Sequence, residues 1–280
     1  MSPTCGAGVS QPPKSGEPWG SRLFYRHRAP VGVTDAPPMV HIHGFAISGR
    51  TLLPTARILA QRFDTYVPDL PGHGRSEGPT TPLDFVGFAD AVVRFLDAVG
   101  LERASLVGNS MGSAVIAHVG RLYPDRVERL ILVSPAGGAA NQPLPRALAQ
   151  MALDGVREPV TLLPAALQAY ASFGVRKTFR QFDAMVHSPT LNLLQDIQVP
   201  MLVVMGSRDP LLPSATEVDK VARIADLSDV MTAVRLHGAA HAINWSHPQE
   251  LAEIINVYVA DPSIRNPSLL PRTAQLIATA

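Results

Sequence analysis

The stretch Leu106-Val107-Gly108-Asn109-Ser110-Met111-Gly112 closes an apolar run on a serine that has a glycine two positions away on either side. Residues 104–109 read as a buried strand, and Met111 to Tyr123 carries apolar residues at helical spacing up to Pro124. A serine turned sharply out of a strand end requires a strained backbone. Glycines at 108 and 112 let strand and helix pack against that turn, which any side chain there would crowd. Strand, serine turn and helix stand in the order that presents a nucleophile, and Ser110 is the candidate.

Working outward, strand signals lie at 21–28, 39–42, 65–69 and 127–133. Helical spacing marks 52–62 and 83–99, the latter with Phe85, Phe88, Val92, Phe95, Leu96 and Val99 on one face and Gly100 at its end. Alternating strands and helices imply a mostly parallel sheet flanked by helices, an α/β fold. Between Gly137 and Asp196 the rhythm breaks: helix-like pieces around 143–153, 159–172 and 176–186 are separated by Gly and Pro, with no strand between them. This is expected to be a helical cap, 137–195, inserted into a core formed by 20–136 and 196–260. The core resumes with a strand at 200–206, a helix near 214–225, a strand at 231–236 and a helix at 248–259. Residues 1–19 are expected to be a flexible leader into the domain, and 261–280 a tail broken by Pro262, Pro267 and Pro271.

The composition narrows the function classes. With 280 residues, 46% hydrophobic and 17% charged, the chain suits one large domain carrying an insertion. Lys and Arg number 24 against 23 acidic residues, with no basic run to track phosphates, so no nucleic-acid partner is expected. Cys5 is the only cysteine, which excludes a disulfide framework and points to a cytoplasmic location. Residues 1–19 lack the apolar core of a signal peptide, and no segment is apolar for long enough to span a bilayer. Nothing in the sequence sets the oligomeric state.

A serine hydroxyl is a poor nucleophile near neutral pH unless a base lies within hydrogen-bond reach and a carboxylate orients that base. Asp209 follows strand 200–206 and His241 follows strand 231–236. In a parallel sheet the carboxyl ends of the strands share one edge, so the loops bearing Ser110, Asp209 and His241 are expected to converge. His241 competes with His237 and His247, but His237 belongs to the strand and His247 precedes the last helix, which favours His241 as the base. Strand 127–133 ends in Ser134-Pro135 with no carboxylate to rival Asp209. A tetrahedral intermediate also needs donors for its oxyanion. His43-Gly44-Phe45 follows strand 39–42, so the backbone N–H groups of Phe45 and Met111 are the candidates, with His43 shaping the loop. The stretch Asp69 to Ser76 reads as architecture, with Arg75 bracing it through an ion pair. Trp245 and Met111 are candidates for the pocket border, with core packing an equal reading for Trp245, whereas Tyr170, Phe173, Phe179, Phe182 and Met185 read as cap packing.

Taken together, Gly108 to Gly112, His43-Gly44, Asp69-Leu70-Pro71-Gly72-His73-Gly74-Arg75-Ser76, Asp209 and His241 resemble the α/β-hydrolase superfamily over roughly residues 20–260. The resemblance implies an eight-stranded, mostly parallel sheet with a helical cap, and acyl-type hydrolysis through a serine adduct with no cofactor or metal. The expected reaction is cleavage of a small, largely apolar carboxylic ester, since 136–153 carries few charges. Two other reactions use the same three residues. One is carbon-carbon bond hydrolysis of aromatic ring-cleavage products, for which Arg176, Lys177 or Arg180 would bind a substrate carboxylate. Phe45-Ala46 and Ala242 depart from that group's glycine-rich loop and post-histidine aromatic. The other is a cofactor-free perhydrolase or haloperoxidase-like activity. A binding protein without catalysis is disfavoured, because all three residues are kept.

Overall fold

A computed structural model describes residues 9–10, 22–32, 34–79, 81, 83–135, 137, 141–173, 175–211, 221–225 and 228–279; of residues 9–10 and 169–177 it describes the backbone alone. The apolar runs become strands β3 (Tyr25–Arg28), β4 (Met39–Ile42), β5 (Thr65–Pro68), β6 (Ala104–Asn109), β7 (Val127–Val133), β8 (Met201–Gly206) and β9 (Met231–Leu236), joined by β10 (Ala274–Ala278). They form one eight-stranded sheet in the order β10-β9-β8-β7-β6-β4-β5-β3, parallel except for the two edge strands. Ahead of it β1 (Val9–Ser10) pairs antiparallel with β2 (Arg22–Leu23), and the rest of the predicted leader lies outside the described residues.

Strands buried on both faces explain the continuous apolar runs. Leu106 of β6 joins the core cluster that holds Phe88, Val92, Phe95 and Leu96 of α2 (Phe85–Ala98) and Val115, Ile116 and Val119 of α3 (Met111–Leu122). Its neighbour Val107 faces the other cluster, with Leu59 of α1 (Leu53–Leu59) and Phe63. Helix α2 starts where Asp84 accepts a hydrogen bond from the Gly87 amide at 2.7 Å, satisfying one of the donors that a helix start leaves unpaired.

The insertion after β7 folds as helices α4 (Leu144–Arg157), α5 (Leu163–Phe173) and α6 (Val175–His187), covering the carboxyl edge of the sheet. Helices fall on all three of the helix-like pieces read there, with α4 running four residues past the expected end at 153. The last helix, α7 (Pro248–Ala260), packs against α1. Of the helix expected near 214–225, residues 221–225 are helical and 212–220 lie outside the described residues.

The stretch expected as a proline-broken tail holds no long helix in its described residues, 261–279, and beyond Pro271 the chain turns and adds β10, a strand not read from the sequence, to the sheet edge beside β9. No helix among the described residues is long and apolar enough to cross a membrane.

Candidate active site

Ser110 joins β6 to α3 with φ 57° and ψ −119°, a conformation that non-glycine residues rarely hold. The turn is over-determined by its surroundings. The Ser110 amide donates to Val133 O at 2.9 Å, and Ser113 Oγ donates to Gly108 O at 2.8 Å. A Cβ on Gly108 would fall on the carbonyl of Gly112, and one on Gly112 would fall on the carbonyl of Ile42, far inside contact distance in both cases. Glycine at these positions lets α3 start against the ends of β4 and β6.

Asp209 and His241 follow the ends of β8 and β9, which lie beyond β7 along the same edge. A Cβ on Gly206 would press on the carbonyls of Ala239 and Ala240, so glycine there allows the two loops to touch. The buried Asp209 carboxylate accepts the Leu211 amide on Oδ1 and His241 Nδ1–H on Oδ2, each at 2.8 Å. This fixes the ring and, in the neutral imidazole, leaves Nε2 as the acceptor. Nε2 is buried with no hydrogen-bond partner among the described residues, so the bond from Ser110 is not made in this conformation. Ser110 and His241 nevertheless line one cavity, and Asn109 Nδ2 links the serine turn to the His241 carbonyl at 3.4 Å.

Just past β4 the buried His43 is braced at both ring nitrogens: Nδ1 donates to Gly44 O at 2.8 Å and Nε2 accepts from the Leu70 amide at 2.9 Å. The loop is thereby pinned against the serine, since a Cβ on Gly44 would lie 3.3 Å from Ser110 Cβ. Phe45 follows in the cavity wall, and Met111 supplies the first amide of α3, a position without an intrahelical acceptor.

The Asp69 to Ser76 stretch is built around the Asp69 carboxylate, which accepts from the Gly49 and Arg75 amides at 2.8 and 3.0 Å. Its ion-pair partner is Arg26 at 2.8 Å; the Arg75 guanidinium instead lies over the Phe24 ring, 4.1 Å from the centroid. The expectation that Arg75 braces by an ion pair is corrected accordingly.

The cavity encloses about 560 Å³. Its walls are chiefly apolar, from Leu148, Met151, Val156, Leu163, Leu167, Phe182, Met185 and Trp245. Of the two candidates for its border, Trp245 lines it. Met111 is instead sealed in the core, and Phe182 and Met185, read as packing, reach the cavity while also packing in the core. Phe179 is exposed, and the side chains of Tyr170, Phe173, Arg176 and Lys177 lie outside the described residues.

Two residues escaped the sequence reading. Asp154 near the end of α4 and Glu158 just beyond it reach down from the cap: Asp154 Oδ1 accepts the His241 amide at 3.2 Å, and Glu158 Oε1 accepts the Ala242 amide at 2.6 Å. The available signal was their spacing of four, which on a helix also describes a solvated face. Burial pushes Asp154 up from its ordinary value and raises Glu158 to about 7. Burial, the largest single influence on His241, disfavours the imidazolium. The charge and hydrogen bond of Asp209, followed by the charges of Asp154 and Glu158, outweigh it and raise His241 to about 9.

With the geometry in hand, comparison decides the family: the model of the alpha/beta hydrolase family matches residues 39–254. The chain belongs to the alpha/beta hydrolase family. It is 30% identical over 203 residues to a pimeloyl-[acyl-carrier protein] methyl ester esterase of Chromobacterium violaceum, covering 63% of this chain and 78% of that one. An uncharacterised protein of Mycobacterium tuberculosis is 32% identical over 133 residues, 48% of this alpha/beta hydrolase and 39% of the relative, so the match spans about two fifths of that relative's length. The enol-lactonase of Burkholderia xenovorans superposes with a TM-score of 0.68 at 22% identity, over 87% of this chain and all of that one, a likeness of fold.

Proposed function

We propose that this alpha/beta hydrolase is a serine hydrolase of small, largely apolar carboxylic esters, acting through an acyl-enzyme on Ser110. The observation that carries the reading is the opening of a strained serine turn and an Asp209–His241 pair onto one apolar cavity. Ser110 Oγ attacks the ester carbonyl carbon as His241 Nε2 takes its proton, the hydroxyl turning about χ1 to make the bond. The oxyanion receives hydrogen bonds from the Phe45 and Met111 amides, each donor of this kind contributing about 3 kcal/mol in other hydrolases. Collapse breaks the carbonyl-to-alkoxy bond, and Nε2 returns its proton to the departing alcohol. Water, deprotonated by the same nitrogen, then frees the acid and restores Ser110. Asp209 holds the ring throughout.

The cavity wall favours an ester over a ring-cleavage product. Asp154 and Glu158 are its acidic lining residues beside His241, and no lysine or arginine is found among its described lining residues to receive a substrate carboxylate. Arg180, one cation considered for that task, is exposed. The esterase of Chromobacterium violaceum supports the same choice by its likeness in sequence.

A fluorophosphonate probe tests the reading. The parent protein should be labelled once per chain and should turn over p-nitrophenyl esters, whereas Ser110→Ala should do neither. Equal labelling of both proteins would refute the serine assignment, and turnover of a vinylogous diketone acid with no ester turnover would refute the ester.

A further inference from the structure

Resting on that reading, we propose that Asp154 and Glu158 are positioning residues for His241: the cap holds two successive amides of the histidine loop, and so sets where the imidazole sits over Ser110.

The two carboxyls are separated by one helical turn and point from the cap to one strip of core backbone, accepting from consecutive amides at 3.2 and 2.6 Å. Residues 237–241 have no other cap side chain of this kind among the described contacts, and Asn109 meets the loop only through the His241 carbonyl, at 3.4 Å. The same end of α4 is tied down a second time, where Arg157 Nη1 donates to Arg208 O at 2.7 Å beside Asp209. The cap thus grips both loops that carry the acid and the base. Buried amides need acceptors, but a carbonyl or a neutral amide oxygen would satisfy them without charge. Here two ionisable carboxyl groups do it, and the Glu158 Oε2 atom is buried with no partner among the described residues. That arrangement costs desolvation and adds negative charge beside the imidazole, which a purely structural contact does not require.

The charged groups facing His241 are Asp209 from the core and Asp154 and Glu158 from the cap, with Arg157 beside Asp154. Their removal has two separable effects. Losing the hydrogen bond frees the loop, and a displacement of about 1 Å costs up to about a hundredfold in rate. Losing the charge alone lets the imidazolium release its proton at lower pH.

The experiment measures the second-order rate of fluorophosphonate labelling from pH 5 to 10 in the full chain, with circular dichroism as the folding control. Asp154→Ala and Glu158→Ala should label at least tenfold more slowly at the plateau. Asp154→Asn and Glu158→Gln, which keep an acceptor oxygen, should return to within about threefold of the parent, with the acid limb moved to lower pH. Alanine variants that label at the parent rate would overturn the proposal, as would amide variants with an unmoved limb. Should an alanine variant fail to fold, the limb of the folded amide variants decides alone. A parent protein that does not label at all refutes the serine reading itself, which is a different failure from alanine variants that match a reactive parent.

Discussion

At Gly112 the requirement is spatial and not conformational: the residue is helical, yet a Cβ there would occupy the carbonyl of Ile42 at the end of β4. Backbone cannot swing aside as a side-chain tip can, so β4 or α3 must shift, and the His43–Phe45 loop moves with β4. Gly112→Ala should therefore destabilise the protein by about 3 kcal/mol, the upper end for overpacking, and slow labelling in whatever fraction stays folded. Gly155→Ala is the matched control, since nothing lies within 4 Å of its Cβ in α4. It should gain up to about 1 kcal/mol of helix stability. Thermal unfolding of the two variants side by side checks the contrast; equal melting temperatures would show that the turn has slack. The need for glycine at 108 and 112 was legible from sequence because the pattern states it directly. The hydrogen-bond duties of His43 at both ring nitrogens were legible only as a loop-shaping role, since a histidine's partners depend on which distant backbone comes near.

Helix α4 shows why a site is harder to read than a fold. Its apolar residues announced a helix but placed its end at 153, and the two carboxyls that meet the histidine loop stand at 154 and 158. Acids one turn apart ordinarily face water, and only the closure of cap on core turns these two inward. The same closure makes a cavity wall out of residues that periodicity assigns to packing, such as Phe182 and Met185. Leu148, Val156, Val160, Leu163 and Leu167 remain at least partly exposed while lining it, which leaves an apolar mouth between α4 and α5. An acyl chain entering that mouth gains about 0.8 kcal/mol per buried methylene, close to fourfold in kcat/KM. For p-nitrophenyl esters the specificity constant should accordingly climb from acetate toward longer chains by up to about fourfold per carbon, until about 560 Å³ is filled. A flat series, or one falling from acetate, would place the acyl group outside this cavity.

For the whole molecule, the sheet is a frame that brings four loops from the ends of β4, β6, β8 and β9 to one edge, and the parallel direction that makes those ends converge was implied by the alternation of strand and helix. The eighth strand was not, because three prolines in twenty residues disguise it and because an edge strand is defined by its partner more than by its own sequence. Its anchoring begins before the ladder: Thr232 Oγ1 donates to Pro262 O at 2.6 Å and the His237 amide donates to Thr273 O at 2.7 Å. Leu276 and Ile277 are half-buried against the two core clusters, each contributing about 1 kcal/mol, roughly half of a full burial. Ending the chain at Thr273 should lower the melting temperature by about 5 °C and leave the backbone of β9 as an open edge, ready to pair with another copy. β9 stays bonded to β8 along its whole length, from Met231 opposite Met201 to Leu236 opposite Gly206, and His241 is held from the other side by Asp209 and the cap. Labelling per folded molecule should then remain within about twofold of the parent while the aggregated fraction rises on size-exclusion chromatography. A truncated protein that stays monodisperse and as heat-stable as the full chain would mean that β10 contributes little to the sheet it joins.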